Sequence, residues 1–179
     1  MDVPAIIQSI QDSGIAEWMR TSVKAMPIVE ALHVLAAATV FGTIFVVDLR
    51  LLGLPDTRRP FTRVSDEMLW ITWTAFAVAL VAGALMFAAN ANTYYGNTEF
   101  RLKMLALVAA GANMAVFQFI TYRSVGTWDS GVPTPLAARI AGALSITLWV
   151  TVICLARWIG FTKGYDFDVP QDVPLDFKF

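Results

Sequence analysis

The chain predicts an all-α integral membrane protein: an up-down four-helix bundle with a short amphipathic N-terminal segment and an extended C-terminal tail. Two observations carry that prediction. Of its 179 residues, 57% are hydrophobic and only 15% charged, with a mean hydropathy of +0.61. A soluble domain has about 25% charged and 45–50% apolar residues. Four apolar stretches, at 27–47, 69–89, 104–122 and 140–160, each reach the roughly 20 helical residues that cross a bilayer. The composition also excludes other classes. A net charge of −1 offers no basic field to nucleic acid. One cysteine, Cys154, and one histidine, His33, cannot complete a four-ligand zinc site.

The elements follow in order. The segment 1–24 contains AIIQSIQDSGIAEWMR, with apolar residues at Ile6, Ile7, Ile10, Ile15 and Trp18. It predicts one or two short amphipathic turns on the membrane surface, broken at Gly14, with Arg20 and Lys24 towards the headgroups. The apolar run of span one exceeds the 7–15 residues of a signal-peptide core and follows a long polar stretch, so it reads as a retained span. The first connector, DLRLLGLPDTRRPFTR, is charged and holds two prolines. The second, NANTYYGNTEFRLK, is polar with Asn and Gly turn residues, and the third (123–139) carries Asp129, Gly131, Pro133 and Pro135. With no internal proline, the spans are expected to be straight helices. Trp18, Trp70, Trp73, Trp128 and Trp158 read as interfacial belts, with Trp149 near mid-membrane. The densest arginine cluster lies in the first loop, which favours N-out and C-out in a bacterial inner membrane.

Small residues at four-residue spacing (Ala38 and Gly42; Ala75, Ala79 and Gly83; Ala106 and Ala110; Ala141 and Ser145) mark faces where helices approach closely in lipid.

Ionisable and polar residues inside spans are the candidate sites. Glu30 and His33, in PIVEALHVL, share one face of span one. Counting depth at ~1.5 Å per residue sets Glu30 near Arg157 of span four and Lys103 at the start of span three, so an ion pair is expected there. His33 has three readings: a packed histidine tied to a backbone carbonyl, an axial haem ligand, or a protonating group beside a quinone. Two haem-ligating histidines are impossible within one chain, and Met86 is poorly matched in depth. Gly83, better matched, offers room for a flat ring. Asn113 and Gln118 of span three form a second polar feature, with Ser145 and Trp149 of span four as interhelical hydrogen-bond partners for Asn113. Asp48 and Arg50, in VVDLRLLG, are expected to cap span one at the interface, near Arg123, Asp66 and Glu67. No phosphate loop, G-x-S-x-G or paired metal-binding histidines occur, so no catalytic or metal residues are assigned.

The linked pattern EALHVLAAATVFG, VVDLRLLGL, GALMFAANANTYYGNTEFRLKML, GANMAVFQF and SITLWVTV resembles a family of bacterial four-helix integral membrane proteins known as a domain of unknown function. It spans most of residues 25–160. Its most specific parts are the Glu30–His33 pair and Phe100 with Lys103. More loosely, the chain is similar to copper resistance protein D and to cytochrome b-type membrane anchors. The resemblance implies the fold and a membrane location, and no activity. Members often carry a histidine where this chain has Gln118, which implies that a histidine-dependent function there is absent here.

After span four, the tail 161–179 alternates Phe, Val and Leu with four aspartates. It reads as an extended docking segment laid along a partner. The functional expectation is a non-catalytic accessory subunit of a larger membrane complex, a redox or electron-transfer one, contacting lipid and other subunits or further copies of itself. The alternatives are a haem- or quinone-binding redox anchor using His33 and Glu30, and a small metal or solute transporter.

Overall fold

The computed structural model describes residues 4–54 and 57–162. Among them every regular element is helical: α1 (Ala5–Gln11), α2 (Gly14–Thr21), α3 (Ala25–Leu51), α4 (Phe61–Ala89), α5 (Ala91–Gly96), α6 (Thr98–Val116) and α7 (Leu136–Thr162). α3, α4, α7 and the stretch Thr98–Thr127 that α6 begins are long and apolar enough to cross a membrane. They are the four expected spans, each longer than its apolar core because charged and polar residues continue the helix at its ends. Apart from Phe161 and Thr162, which close α7, the tail read as a docking segment lies outside the described residues.

The expected straight third span is not found. After α6 the backbone passes through a π-helical turn, Phe117–Thr121, and a 3₁₀ turn, Tyr122–Thr127. Such π turns widen a helix locally and recur at functional sites.

α3 packs along α4 and α7, and α7 packs along α6, but no extended interface joins α4 to α6. The bundle is therefore closed on three sides. Aromatic clusters tie the fourth side at its two ends. At the α5 end Phe87, Tyr94 and Phe100 lie 5.2–6.2 Å apart, centroid to centroid. At the other end Phe61 of α4 meets Phe117 at 5.8 Å, Tyr122 at 6.3 Å and Trp128 at 5.3 Å. Trp128 is thus a core residue, not the interfacial one its position suggested: it is buried, and its Nε1–H donates to Ser124 Oγ.

The N-terminal segment forms two short helices. Ser13 caps α2 by accepting from Ala16 N, so the break falls one residue before Gly14. Met19 and Ala16 are fully buried, and Met19 packs with Ala25 and Ala89. Arg20 donates to the Ala89 carbonyl at 3.0 Å, which closes the C-terminus of α4. Gln11 and Gln8 bond Asn92 of α5.

The small-residue faces are used unevenly. Ala106 and Ala110 are buried. Gly142, one residue from the predicted pair in α7, packs closely on α3 at Asp48 and Leu51. Ala38 and Gly42 are exposed, and a Cβ at Gly42 would meet nothing within 4 Å among the described residues.

Candidate functional site: a side-opening cavity between four helices

Where α4 and α6 stand apart, the bundle encloses a cavity of about 250 Å³. Its back wall is α3 and α7, contributing Val40, Ile44, Asp48, Ala141, Ser145 and Trp149. Its mouth lies between α4 and α6, where the lining residues Leu69, Trp73, Met114 and Gln118 are exposed. Phe61 and Leu51, in the buried cluster with Trp128, close one end.

The back wall carries a carboxyl group. Asp48 is 5% exposed, and its Oδ2 has no hydrogen-bond partner among the described residues. Ser145 of α7 lies within reach of the carboxyl. Sequence placed Asp48 and Arg50 together as capping charges at the interface. The structure separates them, because α3 runs on to Leu51 and residues two apart leave the helix on different faces. Asp48 turns into the bundle. Arg50, 3% exposed, turns to the loops. It donates to the carbonyls of Arg59 (2.9 Å), Thr57 (3.2 Å) and Asp129 (2.8 Å) and to Thr134 Oγ1. Glu67, one of its expected neighbours, pairs with Arg63 on the surface instead.

Asn113, Ser145 and Trp149, three of the four polar residues singled out from spans three and four, line the cavity wall, and Gln118 stands at its mouth. Their bonding differs. The Asn113 amide donates to the Ala141 carbonyl at 3.0 Å, not to Ser145 or Trp149, and so ties α6 to α7. Gln118 sits in the π turn and is exposed. Thr72 and Thr43, not singled out from sequence, join α4 to α3 with hydroxyls 2.7 Å apart. Asp48 reads as a cap because it stands two residues from Arg50 at the end of the apolar run; the signal that marks it as inward-facing is its helical phase with Ile44, Val40 and Leu51, all of which face inwards.

Glu30 and His33 lie elsewhere. Fifteen residues separate His33 from Asp48, about 22 Å along the helix axis, so His33 cannot share a ligand head with the cavity's polar wall. Its Nδ1–H donates to the Ala79 carbonyl of α4 at 2.8 Å. The space at Gly83 that sequence reserved for a flat ring is filled by this imidazole: a Cβ there would lie 3.0 Å from His33 Cε1. Glu30 is exposed on α3, and among the described residues no ion pair joins it to Arg157 or Lys103. Arg157 lies over the Phe161 ring and Lys103 over the Phe100 ring.

A model of a family of unknown function, DUF6644, matches residues 19–162. The chain belongs to that family. The match begins within α2 and ends with α7, so the DUF6644 unit includes the whole cavity, the Arg50 loop contacts and His33. No curated protein and no solved structure matches the chain, and the looser likeness to copper resistance protein D finds no support there. No cluster of three or more metal-ligating side chains occurs among the described residues.

Proposed function

We propose that this DUF6644 protein is a non-catalytic subunit of a larger complex in the bacterial inner membrane, holding a lipid-soluble ligand between α4 and α6. One observation carries the reading: a cavity with a polar back wall opens sideways, between helices, onto the face that a bilayer would cover. Ligand sites are typically concave and largely apolar, with a few polar groups. A side opening suits a molecule that arrives from the lipid phase, and a ring-headed amphiphile such as a quinone fits both the aromatic walls and the polar groups. A redox complex is the setting in which such a subunit would serve.

A second reading rests on His33. A histidine that ligates a metal usually donates its other ring N–H to a carbonyl or carboxylate. The bond from Nδ1 to Ala79 has that form and leaves Nε2 for an axial haem bond.

One preparation separates the two. The full chain is purified in mild detergent for native mass spectrometry, solvent extraction and a visible spectrum. The first reading expects a lipophile in stoichiometric amount, together with partner subunits. A protein that carries neither overturns it. A Soret band that vanishes in His33→Ala supports the second, and a colourless preparation overturns that one.

A further inference from the structure

Resting on the cavity being a ligand site, we infer that Asp48 makes that site selective for the reduced, hydroxyl-bearing form of a ring-headed lipophile: a quinol rather than a quinone. Buried polar oxygens are normally paired. Asp48 lines the cavity at 5% exposure, and its Oδ2 has no partner among the described residues. In its ionised form the Asp48 carboxyl offers acceptors only, and a quinone carbonyl is also an acceptor, so the two oxygens would oppose each other. A quinol hydroxyl donates, and completes the missing bond.

The mouth decides between a neutral and a charged donor. Among the described residues no lysine or arginine lines the cavity, so a lipophilic cation would also satisfy the carboxyl. But the way in passes Leu69, Trp73, Phe76, Met114 and the neutral amide of Gln118, none of which carries a charge to offset a cation's lost hydration. Stripping a cation of water at that depth is costly, whereas a hydroxyl crosses at far smaller cost. The walls suit a ring. Trp73, Phe76 and Trp149 present flat aromatic faces. A dry cavity of about 150 Å³ holds benzene, so about 250 Å³ accommodates a substituted ring, with its hydrocarbon chain left in the gap between α4 and α6.

The full chain in detergent is titrated calorimetrically with decylubiquinol (under reductant), decylubiquinone and tetraphenylphosphonium. The expected result is a preference for decylubiquinol over decylubiquinone of roughly tenfold or more, the worth of one hydrogen bond to a charged acceptor. Asp48→Asn is expected to abolish the preference by strengthening decylubiquinone binding, because its amide accepts from a quinol and donates to a quinone. Equal affinity for the two forms overturns the inference and leaves the cavity reading standing. So does a preference for decylubiquinone or tetraphenylphosphonium, or a preference that survives Asp48→Asn. Binding of none of the three overturns both. The ratio in the unmodified protein needs no variant, so it tests the inference even where Asp48→Asn fails to fold.

Discussion

A methyl group added at Gly142 meets surroundings opposite to those of one added at Gly42. At Gly142 the new carbon would lie 3.0 Å from Leu51 Cβ and 3.1 Å from the Asp48 carbonyl oxygen. Backbone and a Cβ cannot swing aside, so α7 must move off α3. Overpacking of this kind costs about 1–3 kcal/mol, against about 1 kcal/mol gained from helix propensity. Gly142→Ala is therefore expected to lose up to about 2 kcal/mol. Gly42, with nothing within 4 Å, is expected to tolerate alanine with no loss. Thermal unfolding of the two variants in one detergent checks the pair, and equal shifts would contradict the close approach described for Gly142. Gly83 is intermediate, since its contact is a side chain, His33, that can turn.

At the scale of the element, one buried guanidinium and one loop aspartate lock three segments together. Asp129, in the last connector, accepts from Thr62 N through Oδ1 (2.8 Å) and from Thr62 Oγ1 through Oδ2. Its carbonyl takes Phe61 N at 2.9 Å and the Arg50 guanidinium. α4 begins just after Pro60, whose side chain cannot cap it, so the Thr62 N–H is capped by a residue 67 positions away. Losing a cap costs about 0.5–2 kcal/mol. Stranding several buried carbonyls costs about 1–3 kcal/mol each. Arg50→Ala is expected to cost at least about 3 kcal/mol, and Asp129→Ala about 1 kcal/mol. Urea titration in mixed micelles should rank them in that order, and the reverse ranking would refute the staple. None of this was legible beforehand. Hydropathy marks where a span is apolar, so the four spans could be read. It cannot show that Arg63, Asp66 and Glu67 continue α4 as helix, or that Asp48 and Arg50 belong to α3. Nor can a periodic pattern reveal the π turn at Phe117–Thr121, because it depends on how the end of α6 meets Phe61 and Tyr122. The polar residues of spans three and four were visible as candidates, since polarity inside a span is conspicuous. Their common neighbour Asp48 was hidden among end-of-helix charges.

Over the whole molecule, the decisive feature is which pair of helices does not pack. Every span carries a small-residue face, so the sequence offers each helix several equivalent neighbours and does not say which seam stays open. The structure leaves α4 and α6 apart and closes both ends of that seam with rings, so the opening is a bounded window. Gly111 lies on its α6 side, lines the cavity, and has nothing within 4 Å of where a Cβ would stand. A phenylalanine there has open space to enter. By contrast, Ala110 beside it is 8% exposed, and a phenylalanine at that position would collide with packed neighbours, at about 1–3 kcal/mol. Gly111→Phe is therefore expected to fold with stability within about 1 kcal/mol of the parent, since lost helix-breaking glycine and filled space both favour it. On the proposed reading it should nevertheless lose the lipophile on extraction, whereas Gly42→Ala, away from the cavity, keeps it. Mass spectrometry of solvent extracts from the two variants reads the difference directly. A Gly111→Phe protein that retains the lipophile at the parental ratio would place the ligand outside this cavity.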